Sequence, residues 1–184
     1  MKAIISICLT AVVLTGCVTP RGTPDEQRTA IREMRSEVLS RLYKEKTSAR
    51  AEVAGAPGYA VFSNANVNII LASFGGGYGV IRDNRNGGDT FMKMGEVGIG
   101  LGAGVKDYRV VFVFHDDETL KDFRDNGWSF GGQADAAAKA SDQGAAVGAE
   151  AILDGVTVYQ LTESGLALQA TVKGTKYWKD DELN

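Results

Sequence analysis

Gly127-Trp128-Ser129-Phe130-Gly131 sets a serine between glycines at the spacing of a nucleophile elbow, the tight turn from which a serine hydroxyl attacks an acyl group. That turn needs a strand before the serine, a helix after it and a histidine further along to take the proton. Here the pattern puts a helix before it, over Glu118 to Asp125, and the single histidine, His115, precedes the serine. His115 reads instead as a residue at the end of a buried strand. Gly98-x-Gly100 and the small residues behind it suggest a dinucleotide loop, but that fingerprint opens a helix, whereas Val105 to Phe114 continues as strand. Asp116-Asp117-Glu118 is better explained as a helix start than as a ligand cluster. One histidine and no spaced ligand set give no zinc site. The expectation is a protein with no catalytic residues, no metal and no cofactor.

Cys17 carries more definite chemistry. It closes Leu14-Thr15-Gly16-Cys17 behind Lys2 and an apolar run from Ala3 to Leu14. The pattern is similar to the bacterial lipobox, in which the thiol receives a diacylglycerol and the cysteine becomes the first residue after cleavage. An ordinary signal peptide with an incidental cysteine, or an N-terminal anchor helix, are the alternatives; the run is too short to span a bilayer comfortably. Each buried methylene contributes about 0.8 kcal/mol, so several acyl chains hold a protein to a membrane almost permanently. The expected organisation is a lipoprotein signal peptide over 1–16, a tether over 17–23 and one domain over 24–184. Val18, not an aspartate, follows the cysteine, which in lipoproteins of this kind points to the periplasmic face of the outer membrane.

The third set of residues is cationic. Thr23, Pro24, Asp25 and Glu26 punctuate a helix start, and Ile31, Met34, Val38, Leu39 and Leu42 follow as an apolar stripe. At 100° per residue Arg28, Arg32 and Arg35 fall along one edge of that stripe. Arg82 and Arg85 flank or enter the turn Asp83-Asn84-Arg85-Asn86-Gly87-Gly88-Asp89, with Lys93 across it. Together these six are a candidate lipid-binding surface, because a basic edge beside an apolar stripe suits an anionic membrane. The alternative is that the arginines snorkel beside an ordinary packed helix and pair with Glu33, Glu37 and Asp83.

These groups are positioned by a chain that changes period near Gly58. The first helix breaks or restarts around Thr47 to Val53 and ends at Gly55-Ala56-Pro57-Gly58. Extended segments then read Tyr59 to Phe62, Val67 to Leu71 and the glycine-rich stretch from Phe74 to Val105. Within that stretch Gly98, Gly100, Gly102 and Gly104 lie on one face of a strand and Val97, Ile99, Leu101, Ala103 and Val105 on the other. A bare face lets a backbone, a ring or a lipid chain lie on the sheet and lets the strand bend. Tyr108 to Phe114 reads as a central buried strand, Glu118 to Asp125 as a short helix with Leu120 and Phe123 inward, and Trp128 to Phe130 as a short strand. Ala134 to Ala151 reads as loop with some helix, Val156 to Leu161 with Leu166 to Val172 as a closing hairpin, and Lys173 to Asn184 as a polar tail. The fold class is α+β: a single domain with a curved, barrel-like, Gly-rich antiparallel sheet, an N-terminal amphipathic helix and short additional helices.

At 184 residues the chain holds one domain and its own core. Its 44% apolar and 23% charged residues are those of a folded domain, not of a disordered tail. A formal charge of −3 argues against a dedicated nucleic-acid binder.

The order of signatures resembles the SYLF domain family, found as bacterial lipoproteins and as a membrane-binding module in eukaryotic proteins linked to actin and endocytosis. Its carriers are Gly58-Tyr59-Ala60-Val61-Phe62, Phe74-Gly75-Gly76-Gly77-Tyr78-Gly79-Val80, Gly98 to Gly104, Val110 to Phe114 with Leu120 to Phe123, Phe130-Gly131 and Ser164-Gly165-Leu166. The resemblance implies binding of anionic, phosphoinositide-type lipids through the lead-in helix and the domain surface. The chain lacks the lysine that many relatives carry near Tyr78-Gly79-Val80, and its lead-in helix is nearly balanced in charge, so the headgroup does not carry over. Two functions follow as expectations: a lipid-anchored, lipid-binding envelope protein, or an envelope assembly protein whose glycine-rich face docks a protein partner.

Overall fold

The computed structural model describes residues 20–69, 72–98, 104–130, 150–153, 155–162, 165–167 and 174–184. Cys17, the signal segment, Gly100 and Gly102, and nearly all of the Ala134 to Ala151 stretch lie outside them.

Helix α1 (Pro24–Glu45) opens on a capping box: Thr23 and Glu26 satisfy each other's backbone N–H groups, and Pro24 needs no partner in the first turn. Its stripe is buried as the spacing requires, with Ile31, Met34, Val38 and Leu42 inside. α2 (Ala49–Gly55) follows after a short break. Among the described residues nine strands then form one antiparallel sheet: β1 (Gly58–Ile69), β2 (Ala72–Asp83), β3 (Asp89–Gly98), β4 (Gly104–Phe114), β5 (Trp128–Phe130), β6 (Glu150–Leu153), β7 (Val156–Thr162), β8 (Gly165–Ala167) and β9 (Gly174–Lys179). The order is β5-β9-β3-β2-β1-β4-β7-β6, with β8 added to β7. α3 (Asp117–Asn126) is capped by Asp116, whose carboxylate accepts from the Thr119 N–H.

Strand alternation gives the sheet two buried faces. Val61, Val80, Phe91, Val111, Val113, Tyr159 and Leu161 pack under α1 and α2. Ala60, Phe62, Ile81, Met92, Met94, Phe112 and Tyr177 pack under α3 with Leu120 and Phe123. There Phe62 meets Phe112 edge-on at 5.9 Å and Tyr177 at 4.7 Å, the offset geometry that ring quadrupoles favour.

Five expectations are corrected. Among the described residues the sheet is open, not barrel-like: a barrel needs a complete ring of paired strands, and β5 and β6, the ends of the path, are three and four residues long and do not pair with each other. Tyr59–Phe62 and Val67–Leu71 are not separate segments, since β1 runs unbroken to Ile69 and carries Asn64 inside the ladder. The stretch Gly95 to Val105 is not one strand, because β3 ends at Gly98, β4 begins at Gly104, and β2 and β1 lie between them. Residues 150–151, at the end of the expected loop, open β6. The polar tail is also structured: Thr175 and Tyr177 are buried while Lys176 and Trp178 are exposed, a period of two that makes β9 a strand between β5 and β3.

The glycines of β2 have a local reason. A Cβ on Gly77 would stand 2.8 Å from Met94 Cγ and 2.2 Å from the Ser63 carbonyl; one on Gly79 would meet Phe62 Cδ1 at 2.3 Å. What lies against this part of the sheet is its own core.

Candidate functional site

The 83–89 hairpin and the middle of α1, at Arg32 and Arg35, meet at one end of the sheet. Arg82, next to last in β2, stands opposite Asp89, which opens β3, and α1 crosses above them. Asp89 is the centre of the cluster: Arg32 Nε donates to its Oδ2 at 2.8 Å, Arg35 Nη1 to its Oδ1 at 2.7 Å and Arg82 Nη1 to Oδ1 at 3.1 Å. The carboxylate is only 9% exposed, while Arg32 and Arg82 keep 46% and 34% of their side chains in solvent. Burial works to raise the Asp89 carboxyl, but the Arg32 hydrogen bond, the Arg35 charge and the Arg82 hydrogen bond outweigh it and hold the group below its usual range. Arg32 also stacks over Phe91, 5.3 Å from the ring centroid, and Arg82 donates to the Gly87 carbonyl. Three guanidiniums around one carboxylate leave two positive charges in excess within that group. Such a set can accept a second anion, and Arg forks suit carboxylate or phosphate oxygens.

Of the six cations singled out from the sequence, Arg32, Arg35 and Arg82 are thus brought together. The other three stand apart. Arg28 bonds Asp25 at 2.6 Å and the Leu183 carbonyl at 2.8 Å; Arg85 pairs with Asp117; Lys93 pairs with Asp180 at 3.0 Å. The acids expected as alternative partners are not those used. Asp83 instead accepts from the Arg85 N–H and the Asn86 amide, which shapes the turn.

Sequence reasoning missed Asp89 and the C-terminus. Asn184 brackets Phe91, donating to its carbonyl at 2.8 Å and accepting its N–H at 2.9 Å, and Leu183 is buried beside α1. The available signal for Asp89 was its place opposite Arg82 across a two-sided turn.

Elsewhere, Asn64, Glu96 and Tyr108 form a buried polar group on the α3 side. Asn64 Nδ2 donates to Glu96 Oε2 at 2.8 Å and the Tyr108 hydroxyl donates to the same oxygen. Burial first, then Tyr177 and Glu96, hold the Tyr108 hydroxyl protonated far above the ordinary tyrosine range. His115 follows β4 and meets Thr157 Oγ1 at 2.7 Å. Around Ser129 the order is helix α3, a turn at Gly127 with φ of 69°, then strand β5, the reverse of an elbow. No group of three metal-ligating side chains occurs among the described residues, nor is any helix there long and apolar enough to cross a membrane.

An α+β domain built on an open antiparallel sheet, with a guanidinium cluster at one end, is what fold and site define. Residues 95–184 match the family model described as Ysc84, Las17-binding protein actin regulator. The chain is also similar to a protein named Beta cell expansion factor A from Aeromonas veronii, 34% identical over 167 residues. That match covers 88% of this chain and 60% of the relative's length. Residues 95–184 thus carry the likeness to the Ysc84, or SYLF-domain, family, and the chain is consistent with a SYLF-domain protein.

Proposed function

We propose that the protein is a non-enzymatic, membrane-anchored lipid-binding module of the bacterial envelope. Acylated Cys17 holds it at the periplasmic face of the outer membrane, and the Asp89 cluster meets the headgroups of anionic phospholipids. The observation that carries this reading is the convergence of Arg32, Arg35 and Arg82 on Asp89, about 12 to 17 Å along α1 from Pro24 at ~1.5 Å per residue. Residues 18–23 separate Cys17 from that helix, and six extended residues reach roughly 20 Å. The cluster therefore sits within reach of the bilayer that the anchor would enter. Each cation near an anionic surface contributes about 1 kcal/mol, enough to orient a tethered domain. Binding of the acyl-free chain to vesicles should rise with anionic lipid content, fall with salt and weaken when the three arginines become glutamine. For the anchor, Cys17→Ala should abolish membrane fractionation of a mature-sized protein.

A second reading, an envelope assembly protein that docks a protein partner, is favoured by the family description, which names its members as binders of a protein, Las17. Capture of one stoichiometric envelope protein together with no vesicle binding would select it.

A further inference from the structure

Two of the six cations singled out from the sequence are held by one segment, residues 180–184. Lys93 Nζ lies 3.0 Å from Asp180 Oδ1 and 3.9 Å from Glu182 Oε2, and Arg28 Nε donates to the Leu183 carbonyl at 2.8 Å. The segment is a closed turn. The Glu182 N–H donates to the Asp180 carboxylate at 3.1 Å, and the Leu183 N–H and the Asn184 amide both donate to the Asp180 carbonyl. It is fastened at two points: Leu183 is buried in the core under α1, and the Asn184 carboxamide takes both backbone groups of Phe91. That amide stands in for a strand one residue past Met92, where the pairing of β9 with β3 ends.

These contacts adjoin the Asp89 cluster. Asp89, Phe91 and Lys93 alternate along β3 and share one face of the sheet, so Lys93 stands roughly 13 Å from Asp89 at ~3.3 Å per residue. On α1, Arg28 is one turn from Arg32, about 6 Å along the axis, and Arg32 lies over Phe91. Arg28, Arg32, Arg35, Arg82 and Lys93 therefore form one strip. Among the described residues the acids paired with them are Asp25, Asp89, Asp180 and Glu182, and the turn supplies the last two. Asp181, between those two, is exposed.

We infer that residues 180–184 are a built-in competitor of the Asp89 site. Their carboxylates occupy Lys93 and a backbone carbonyl occupies Arg28, so an external phosphate-type oxyanion meets only part of the strip. The inference rests on the headgroup reading proposed above and adds its regulation. Lys93 keeps 31% of its side chain in solvent, so an incoming anion reaches it without opening the sheet. A short turn held by one buried side chain also opens more readily than the strands beneath it. When the turn yields, the set grows from three guanidiniums around one internal carboxylate to five cations.

The test measures the affinity of the acyl-free chain for two probes, inorganic pyrophosphate and vesicles of anionic phospholipid, so that a soluble phosphate and a headgroup are told apart. Asp180→Asn with Glu182→Gln should tighten binding about fivefold, the effect of one freed cation beside an anion, with whichever probe the site accepts. Glu182→Gln alone, at a side chain 82% exposed, should give part of that gain without touching a buried group. The gain should disappear in the Lys93→Gln background. Removing two charges from α3 instead, Glu118→Gln with Asp122→Asn on the other face of the sheet, should leave affinity unchanged. Binding that depends on Arg32, Arg35 and Arg82 but not on Asp180 and Glu182 overturns the inference and leaves the Asp89 reading intact. So does a gain that survives Lys93→Gln or is matched by the α3 pair. No arginine-dependent binding of either probe, in the parent and in every variant, overturns both.

Discussion

Arg82 and Asp89 face each other across the last rung of the β2–β3 ladder, and their side chains meet at 3.1 Å where α1 supplies Arg32 and Arg35 to the same carboxylate. One acid therefore joins the helix to the hairpin. It also competes with any external anion for three guanidiniums.

Asp89→Ala should destabilise the fold by about 3 kcal/mol, since it removes several charge-assisted hydrogen bonds and leaves partly buried cations unpaired. Urea denaturation measures it. A depressed carboxyl contributes stability above its unfolded pKa, ordinarily about 4, and loses it as pH falls through the folded value. The difference in stability between the parent and Asp89→Ala should accordingly be constant near neutrality and vanish only below the usual carboxylate range.

Gly77→Ala and Gly79→Ala should each cost about 1 to 3 kcal/mol, because the added methyl runs into the neighbouring strand's carbonyl as well as Met94 or Phe62. Gly55→Ala, at the end of α2 with nothing within 4 Å of its Cβ position, should be neutral or stabilising by up to about 1 kcal/mol. Thermal melts of the three variants separate glycines required by close approach from those that are not.

Leu183→Ala should lower stability by about 2 kcal/mol, at the low end for a buried leucine near a chain terminus. Deleting residues 180–184 should do more, removing the Asn184 bracket on Phe91 and the Arg28 contact to the Leu183 carbonyl. Faster amide exchange at Phe91 in the deletion variant is the local check.

The helices were legible because their signals are local: the capping box at Thr23, the stripe from Ile31 to Leu42 and the Asp116 cap each lie within a few turns. β4 was legible because it is buried on both faces and reads as a continuous apolar run. β9 was not, since Lys176 and Trp178 alternate with Thr175 and Tyr177 over only six residues, and its neighbours β3 and β5 are distant in sequence. The arginines were found by type and helical phase, but their partner was not. Asp89 is 57 residues from Arg32 and 54 from Arg35, a pairing that only the packing of α1 on the hairpin creates. The glycine argument made for Gly98 to Gly104 falls largely outside the described residues, whereas Gly77 and Gly79 of the same glycine-rich stretch have the protein's own carbonyls and side chains as close neighbours.

The most direct measurement is vesicle co-sedimentation of the acyl-free chain, comparing Asp89→Asn with Arg32→Gln, Arg35→Gln and Arg82→Gln combined. If the cluster binds anionic headgroups, releasing its guanidiniums from the internal carboxylate should raise affinity for anionic vesicles above that of the parent, though the fold is weakened, and the triple glutamine variant should fall below it. Binding indifferent to vesicle charge, or equal in the parent and both variants, would contradict the assignment and leave Asp89 as a purely structural clasp between α1 and the hairpin.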